Sequence, residues 1–220
     1  MSLPGVHYGI FTNGAVVRDF GKNTWVSESC LSWEKTIRVI EVLRRHPVIY
    51  DMYVSEGGVS ETRLLAQLEE YGIPERECAY IRATRRAVTD MVEYLREKKC
   101  PVQKMNLNFK DRESKQAVRA KLEAMPEVLV TSSLPWNLEL NAAGITKGSG
   151  LRNLCQYLGI EAEETMAFGD GENDWPMLEA AGIGVAMENG APFLKERADR
   201  IAASNREEGV AEAIRQWVLI

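Results

Sequence analysis

The sequence predicts an α/β protein in which a parallel sheet covered by helices is interrupted by an inserted α+β domain. After Ala142, short apolar segments alternate with amphipathic segments of helical spacing, which is typical of a parallel sheet with helices on both faces. Between residues 21 and 141, helical and strand patterns follow one another without a strict β-α-β order. We therefore predict a core formed by residues 1–20 and 142–220, and an inserted domain of residues 21–141.

Turn and capping residues place the elements of the first two thirds of the chain. Thr12-Asn13-Gly14 predicts a tight turn between two short strands, because Asn-Gly readily supplies positive φ. Helices are predicted from Ser32, from Ser60, over Val88 to Lys98, and from Asp111 as N-cap to Met125-Pro126. Strands are predicted at VIYDMYVS, VQKMNLNF, EVLVTSS and WNLEL.

The last third of the chain shows the most regular alternation. Apolar runs predict strands at Thr165 to Phe168, Gly184 to Met187 and Arg200 to Ala203. Helical periodicity predicts helices at Gly150 to Leu158 and Asp174 to Ala181, with further helices after the second and third strands.

Composition excludes several classes of protein. The formal net charge of -5 argues against a nucleic-acid groove, which needs clustered Lys and Arg. We find no apolar run long enough to span a bilayer and no signal-peptide pattern, so no membrane partner is expected. The four cysteines lie far apart without a C-x-x-C pair, which predicts neither disulfides nor a zinc site and favours a reducing cytoplasm.

Three carboxylates, those of Asp170, Glu172 and Asp174, follow the predicted strand that ends at Phe168. We interpret Asn173 as the N-cap of the next helix, which places Asp174 at the helix start and close to Asp170. Two converging carboxylates suit Mg²⁺. A favourable interaction with the helix dipole would equally explain Glu172 and Asp174, but it leaves Asp170 unexplained.

Lys147 lies at the beginning of a predicted helix, within ITKGSGL. The helix dipole disfavours a cation there by about 0.3–1 kcal/mol, which indicates a fixed anion nearby. A solvated loop lysine is the simpler alternative. Neither the dinucleotide-binding glycine pattern nor the Walker A spacing occurs around this lysine.

These segments together resemble a known family. ITKGSGLRNLCQYLGI, the G-D-x-x-N-D-x-x-M string of residues 169–177 and the downstream V-A-M and S-N-x-x-x-G-V patterns resemble the C-terminal half of a haloacid dehalogenase (HAD) superfamily phosphatase. The similarity is greatest to the Cof-type branch, which carries a large α/β cap. It covers nearly all of Ile145 to Ile214, and TNGAVV resembles the strand that precedes the cap in these proteins.

The resemblance implies a hydrolase with a HAD-like Rossmannoid core, in which residues 21–141 form the cap that selects the substrate. Such enzymes are Mg²⁺-dependent phosphatases of small phosphorylated metabolites, here of the sugar-phosphate type, and they act through an aspartyl-phosphate intermediate. If the residues that match the family's motifs keep their roles, Asp170 would bind Mg²⁺, and Asp174 would lie beside it as a further ligand or as support. Lys147 would neutralise phosphoryl charge. The remaining positions are expected to face the phosphate or the leaving group: Asn13, Asn173 and Asn189.

The nucleophile motif of the family, Asp-x-Asp-Gly-Thr, is not present, because no two aspartates are separated by one residue. We therefore expect a fragment whose core sheet is incomplete at the N-terminus and which is inactive alone. The two parts of the core should then not pair as usual, and exposed strand edges would favour self-association. Two alternatives are a catalytically dead HAD-like binding or interaction module and a phosphomutase of the same superfamily.

Overall fold

The computed structural model describes residues 5–219 and divides into two compact units. The core unit comprises Met1–Glu28 and Ile145–Ile220, and the inserted unit comprises Ser29–Gly144. Thr24–Glu28 thus belongs to the core unit, although the sequence pattern assigned it to the inserted domain. Over residues 5–219, no helix combines the length and the apolar character needed to cross a membrane.

The core unit begins with a three-stranded antiparallel sheet. Its strands are β1 (Tyr8–Phe11), β2 (Val16–Asp19) and β3 (Thr24–Glu28), in that spatial order. A 3-10 turn over Thr12–Gly14 joins β1 to β2. The predicted pair of strands around Asn-Gly is therefore confirmed, and β3 is an element that the sequence pattern did not predict.

The inserted unit contains five helices and one six-stranded sheet. The helices are α1 (Trp33–Leu43), α2 (Thr62–Leu65), α3 (Glu75–Thr84), α4 (Met91–Lys98) and α5 (Arg112–Glu123). The strands are β4 (Val48–Val54), β5 (Gly57–Glu61), β6 (Arg85–Val88), β7 (Lys104–Phe109), β8 (Val128–Thr131) and β9 (Asn137–Ala142). Their spatial order is β6-β5-β4-β7-β9-β8, with β5 and β6 parallel and the other neighbours antiparallel.

The two faces of this sheet differ in polarity because alternate residues of a strand point to opposite faces. Met52 of β4 and Met105 of β7 are register partners and belong to a continuous buried core that also includes residues of α1, α4 and α5. On the opposite face, Asp51 pairs with Asn106 across the same two strands. The apolar face therefore supplies the core of the inserted unit.

The predicted helix start at Ser32 and the predicted N-cap Asp111 are both confirmed. The Ser32 hydroxyl accepts a hydrogen bond from the Lys35 N–H at 3.4 Å, and Asp111 Oδ1 accepts one from the Ser114 N–H at 2.7 Å. These side chains satisfy backbone donors that have no partner within the first turn of a helix.

Two helix predictions in the inserted unit were wrong about the starting residue. Ser60 does not open a helix; it lies in β5, and its hydroxyl donates to the Tyr50 carbonyl oxygen at 3.1 Å. Val88 ends strand β6, and the helix predicted there starts only after Asp90, whose carboxylate accepts the N–H groups of Val92 and Glu93. In both cases a short strand replaces the predicted first turn.

The chain then returns to the core unit and alternates as predicted. The elements are α6 (Lys147–Leu158), β10 (Met166–Gly169), α7 (Trp175–Ala180), β11 (Ile183–Met187), α8 (Pro192–Arg197), β12 (Arg200–Ala202) and α9 (Gly209–Trp217). β10, β11 and β12 form a parallel sheet in that order. Leu178 and Leu194 pack on one face and Ala213 on the other. The predicted α/β class, with helices on both faces of a parallel sheet, is confirmed.

The two sheets of the core unit remain separate. Within residues 5–219, β1 pairs only with β2, and β10 pairs only with β11. This agrees with the expectation that the two parts of the core do not pair with each other. Both edge strands therefore carry backbone N–H and C=O groups without a ladder partner on one side.

Candidate functional site

The acidic loop lies at the carboxyl end of β10, where open α/β sheets bind their ligands. Asp170 is exposed and directly follows β10. A 3-10 turn over Glu172–Asp174 then leads into α7, whose Pro176 lies in the first turn as expected. The prediction that Asn173 caps this helix was wrong, because Asn173 lies inside the 3-10 turn and Asp174 occupies the position before α7.

Asp174 holds the loop and the neighbouring lysine together. Its Oδ1 lies 2.5 Å from the Lys147 Nζ, and its Oδ2 accepts hydrogen bonds from the backbone N–H groups of Asp170 and Gly171, both at 2.9 Å. Asp174 is 6% exposed. Both of its oxygens are therefore engaged by protein donors, and the buried negative charge is compensated.

The local sequence explains why Lys147 lies at this point. Thr146 is the N-cap of α6, and its side chain and that of Ser149 form reciprocal hydrogen bonds with each other's backbone N–H. Lys147 is consequently the first residue of the helix. The unfavourable interaction of its charge with the helix dipole is offset by the contact with Asp174.

Two glycines allow α6 to approach its neighbours closely. A Cβ on Gly148 would lie 2.0 Å from the carbonyl oxygen of Pro176 in α7. A Cβ on Gly150 would lie 2.6 Å from a methyl carbon of Ile10 in β1. The K-G-S-G segment thus fixes the start of α6 against both α7 and β1, which fixes the position of Lys147.

The turn between β1 and β2 is strained and carries Asn13. Thr12, Asn13 and Gly14 have φ values of 48°, 58° and 95°, in the left-handed region that a β-branched residue rarely adopts. For Thr12 and Asn13, which are not glycines, such strain costs about 1–3 kcal/mol each and often occurs at functional sites. Asn13 is 8% exposed, and its Oδ1 accepts a hydrogen bond from the Asn173 amide at 3.4 Å.

Asn189 contacts Asp170 from the loop after β11. Its amide donates to Asp170 Oδ2 at 3.2 Å, and its own Oδ1 accepts the backbone N–H of Asn205 at 2.9 Å. The Ala191 N–H donates to the Asp170 carbonyl oxygen at 3.0 Å. Asn205 therefore orients the Asn189 side chain. Sequence reasoning did not single out Asn205, because a backbone N–H makes the contact, although the S-N-x-x-x-G-V pattern contains this residue.

The structure brings the six predicted site residues into two connected groups. Lys147, Asp174, Asp170 and Asn189 form one chain of contacts, and Asn173 and Asn13 form a second pair joined to it through the 3-10 turn. Among residues 5–219, no group of three or more acidic, thiol or imidazole side chains is arranged to hold a metal ion. Asp170 is nevertheless an exposed hard oxygen donor, and Mg²⁺ commonly takes one or two carboxylates together with phosphate and water. The Asp170 carboxylate is thus a single side-chain donor of the chemical type that Mg²⁺ takes.

Several known proteins with related sequences are phosphatases. The chain is 42% identical over 116 residues to a 5-amino-6-(5-phospho-D-ribitylamino)uracil phosphatase of Bacillus subtilis, a match that covers 53% of this chain and 47% of the relative. It is 40% identical over 96 residues to a phosphoglycolate phosphatase of Methanosarcina acetivorans, covering 44% of this chain and 42% of that protein. The chain thus matches less than half of the length of these two relatives.

Solved structures share the fold over almost the whole chain. A haloacid dehalogenase-like hydrolase from B. subtilis superposes with a TM-score of 0.85 at 24% identity and covers 97% of this chain and 81% of that chain. A haloacid dehalogenase-like hydrolase from Bacteroides thetaiotaomicron superposes with a TM-score of 0.74 at 30% identity, covering 93% of this chain and 74% of that chain. The profile of the haloacid dehalogenase-like hydrolases matches residues 3–214. The chain therefore belongs to the haloacid dehalogenase-like hydrolase family.

Proposed function

We propose that this site binds the phosphoryl group of small phosphorylated metabolites in a phosphatase reaction. The observation that carries the proposal is the Lys147–Asp174 pair, at 2.5 Å, held beside the exposed Asp170 at the end of a parallel strand. Phosphoryl transfer depends mainly on positioning and on stabilisation of negative charge. The Lys147 ammonium supplies a positive charge that can stabilise the phosphoryl group. The lysine side chain is 29% exposed, so a phosphate can reach it.

We assign Mg²⁺ to Asp170, with Asp174 as the residue that supports the loop. When bound, Mg²⁺ would neutralise charge on the phosphoryl oxygens. Asp174 shapes the loop through the two backbone N–H groups that it accepts and places the Lys147 ammonium through its other oxygen. Asn189 orients the Asp170 carboxylate. Asn13 and Asn173 would contact the phosphate or the leaving group.

The family resemblance implies an aspartyl-phosphate intermediate on an aspartate of an Asp-x-Asp pair. The 220 residues contain no such pair, so we propose that this chain binds a phosphate monoester without hydrolysing it on its own. We also propose, from the same resemblance, that residues 21–141 select the substrate and that the substrate is of the sugar-phosphate type. The names of the two phosphatase relatives support a phosphorylated metabolite as the substrate class.

A second candidate function is a catalytically dead binding or interaction module. The absence of an Asp-x-Asp pair from the sequence favours it. The two candidates differ at the site itself, because a half-site for phosphatase chemistry should still bind Mg²⁺ and phosphate through Asp170 and Lys147. A module with an unrelated role has no need for either ligand.

Hydrolysis of p-nitrophenyl phosphate tests the nucleophile assignment. The chain is assayed with and without Mg²⁺ beside Asp170→Ala, which removes the assigned metal ligand. We expect the unsubstituted chain to hydrolyse the ester no faster than Asp170→Ala does. Mg²⁺-dependent turnover that Asp170→Ala abolishes would show that these residues already contain a nucleophile, and the assignment would be wrong.

A further inference from the structure

The inserted unit contains a groove outside the candidate site. It has a volume of about 570 Å³ and lies between the first half of α5 and the turn that joins β8 to β9. This volume falls within the range of about 300–1,000 Å³ that is usual for small-molecule sites. The lining of the groove includes Lys110, Arg112, Lys115, Arg119, Pro135 and Trp136.

The wall formed by the β8–β9 turn is held in place by buried polar groups. Asn137, which is 6% exposed, accepts hydrogen bonds at its Oδ1 from the N–H groups of Ser133 and Leu134, at 3.1 and 2.9 Å. The Lys115 ammonium reaches across from α5 and donates to the carbonyl oxygens of Leu134 and Pro135, at 3.3 and 2.9 Å. The groove is therefore formed before any ligand binds.

Positive charge is concentrated in this groove although the whole chain is acidic. Four cationic side chains line it, against the single carboxylate of Asp111, in a chain of net charge -5. The Asp111 carboxylate already accepts the N–H and the hydroxyl of Ser114, at 2.7 and 3.0 Å. Arg119 makes an ion pair with Glu123, with side chains 30% and 51% exposed, and Lys110 makes one with Glu70, with side chains 43% and 60% exposed. Pairs that are this accessible to solvent contribute little to stability, so breaking them to bind another anion costs little.

The groove also offers an aromatic surface. Trp136 is 39% exposed and lines the groove beside Pro135. Its backbone is anchored to the end of β7, since the Phe109 N–H donates to the Trp136 carbonyl oxygen at 3.0 Å. A partly exposed indole ring in the lining of a cationic groove suits stacking with a flat ring. The Arg112 and Arg119 guanidinium groups suit bidentate recognition of phosphate.

We propose that this groove binds a nucleoside monophosphate, with its base against Trp136 and its phosphate against the arginines of α5. The lining offers a group for each chemical part of such a ligand: an indole for the aromatic base and guanidinium groups for the phosphate dianion. The site is separate from the candidate phosphatase site and does not depend on the function proposed for Lys147 and Asp170.

Equilibrium dialysis of labelled AMP against the full chain tests this proposal. The measurement is made in EDTA and in a Lys147→Met background, which removes the candidate phosphatase site as a source of binding. We expect saturable binding, with adenosine and inorganic phosphate each binding at least about tenfold more weakly than AMP. Arg112→Gln and Trp136→Leu are each expected to weaken AMP binding at least about tenfold.

Arg76→Gln and Trp25→Leu serve as matched controls, because both residues are exposed and lie outside the groove. They should leave AMP binding unchanged. All variants are checked for an unchanged urea unfolding midpoint. The proposal is overturned if AMP shows no saturable binding, or if folded Arg112→Gln and Trp136→Leu variants bind AMP as well as the unsubstituted protein.

Discussion

The Lys147 ammonium lies 2.5 Å from one oxygen of Asp174, and the other oxygen of Asp174 accepts the backbone N–H groups of Asp170 and Gly171. One carboxylate therefore fixes both the cation and the loop of the candidate site. A glycine on each side of Ser149 lets α6 approach β1 and α7 closely enough for this contact to form. The geometry of the site is thus a consequence of packing in the core unit.

The first prediction concerns Asp174 as the residue that holds the site together. Replacing it with Ala leaves a half-buried ammonium and two backbone donors without their acceptor. We expect Asp174→Ala to lower the free energy of unfolding by about 2–4 kcal/mol. Urea denaturation measures this change. Glu179→Ala, at an exposed acid of the neighbouring helix α7, should shift the unfolding free energy by less than about 0.5 kcal/mol. Equal effects of the two substitutions would contradict the role given to Asp174.

The second prediction concerns Gly14 in the strained turn. A Cβ at this position would lie 1.9 Å from the Thr146 carbonyl oxygen, and the φ of +95° disfavours a side chain as well. We expect Gly14→Ala to destabilise the protein by about 2–5 kcal/mol.

Gly159→Ala separates backbone strain from the steric clash. Gly159 has a φ of +68° and no atom within 4 Å of an added Cβ, so only strain of about 1–2 kcal/mol is expected. Thermal unfolding of both variants provides the comparison. A Gly14→Ala variant as stable as Gly159→Ala would show that α6 does not pack on the turn as described.

The third prediction concerns the response of Glu69 to pH. Its hydrogen bonds with the Arg82 guanidinium, both at 2.6 Å, lower the pKa of the Glu69 carboxyl to about 2. Because the pKa in the folded state lies below its ordinary value, the stabilising contribution of this pair is present above about pH 4.5 and is lost as the pH falls towards 2.

NMR titration of the Glu69 side chain measures this pKa directly. Arg82→Gln should return the pKa towards its ordinary value of 4.5. Arg76→Gln changes an exposed arginine of α3, the helix that contains Arg82, and should leave the pKa of Glu69 low. A Glu69 pKa near 4.5 in the unsubstituted protein would refute the assigned contact.

The fourth prediction concerns the edge strands β1 and β10, each of which is paired on one side only. Edge strands with free backbone groups promote association between chains, and we propose that this chain self-associates through them. Size-exclusion chromatography with light scattering should show a molecular mass that rises with protein concentration. Phe11→Lys places a charge on an exposed residue of β1, and Tyr80→Lys does so at an exposed residue of α3. Phe11→Lys should reduce association, and Tyr80→Lys should not. A protein that stays monomeric at all concentrations would contradict the proposal.

Much of the core unit could be predicted from sequence because its elements have strong local signals. The alternation after Ala142 and the Asn-Gly turn depend on apolar spacing and on backbone preference, which are properties of the chain itself. The inserted unit was harder. Ser60 has the side chain of a helix cap, yet its hydroxyl bonds to Tyr50 on the neighbouring strand β4. Strand pairing of β5 with β4 and with β6 replaced the local preference there.

The candidate site shows the same division between local and long-range information. Asp170, Asp174 and Lys147 could be chosen from sequence because acids crowd the end of a strand and a lysine opens a helix. The contact between Lys147 and Asp174 spans 27 residues and depends on the close packing of Gly148 against Pro176. No pattern in the sequence predicts that a backbone N–H of Asn205 orients Asn189.

The most direct test of the proposed site is calorimetric titration of inorganic phosphate into the chain with and without Mg²⁺. Lys147→Met is compared with Lys195→Met, because the two lysine side chains are both 29% exposed in the core unit. We predict phosphate binding that requires Mg²⁺, that weakens at least about tenfold in Lys147→Met and Asp170→Asn, and that Lys195→Met retains. Phosphate binding that is absent from the unsubstituted chain, or equal in the folded Lys147→Met variant, would contradict the assignment of this site.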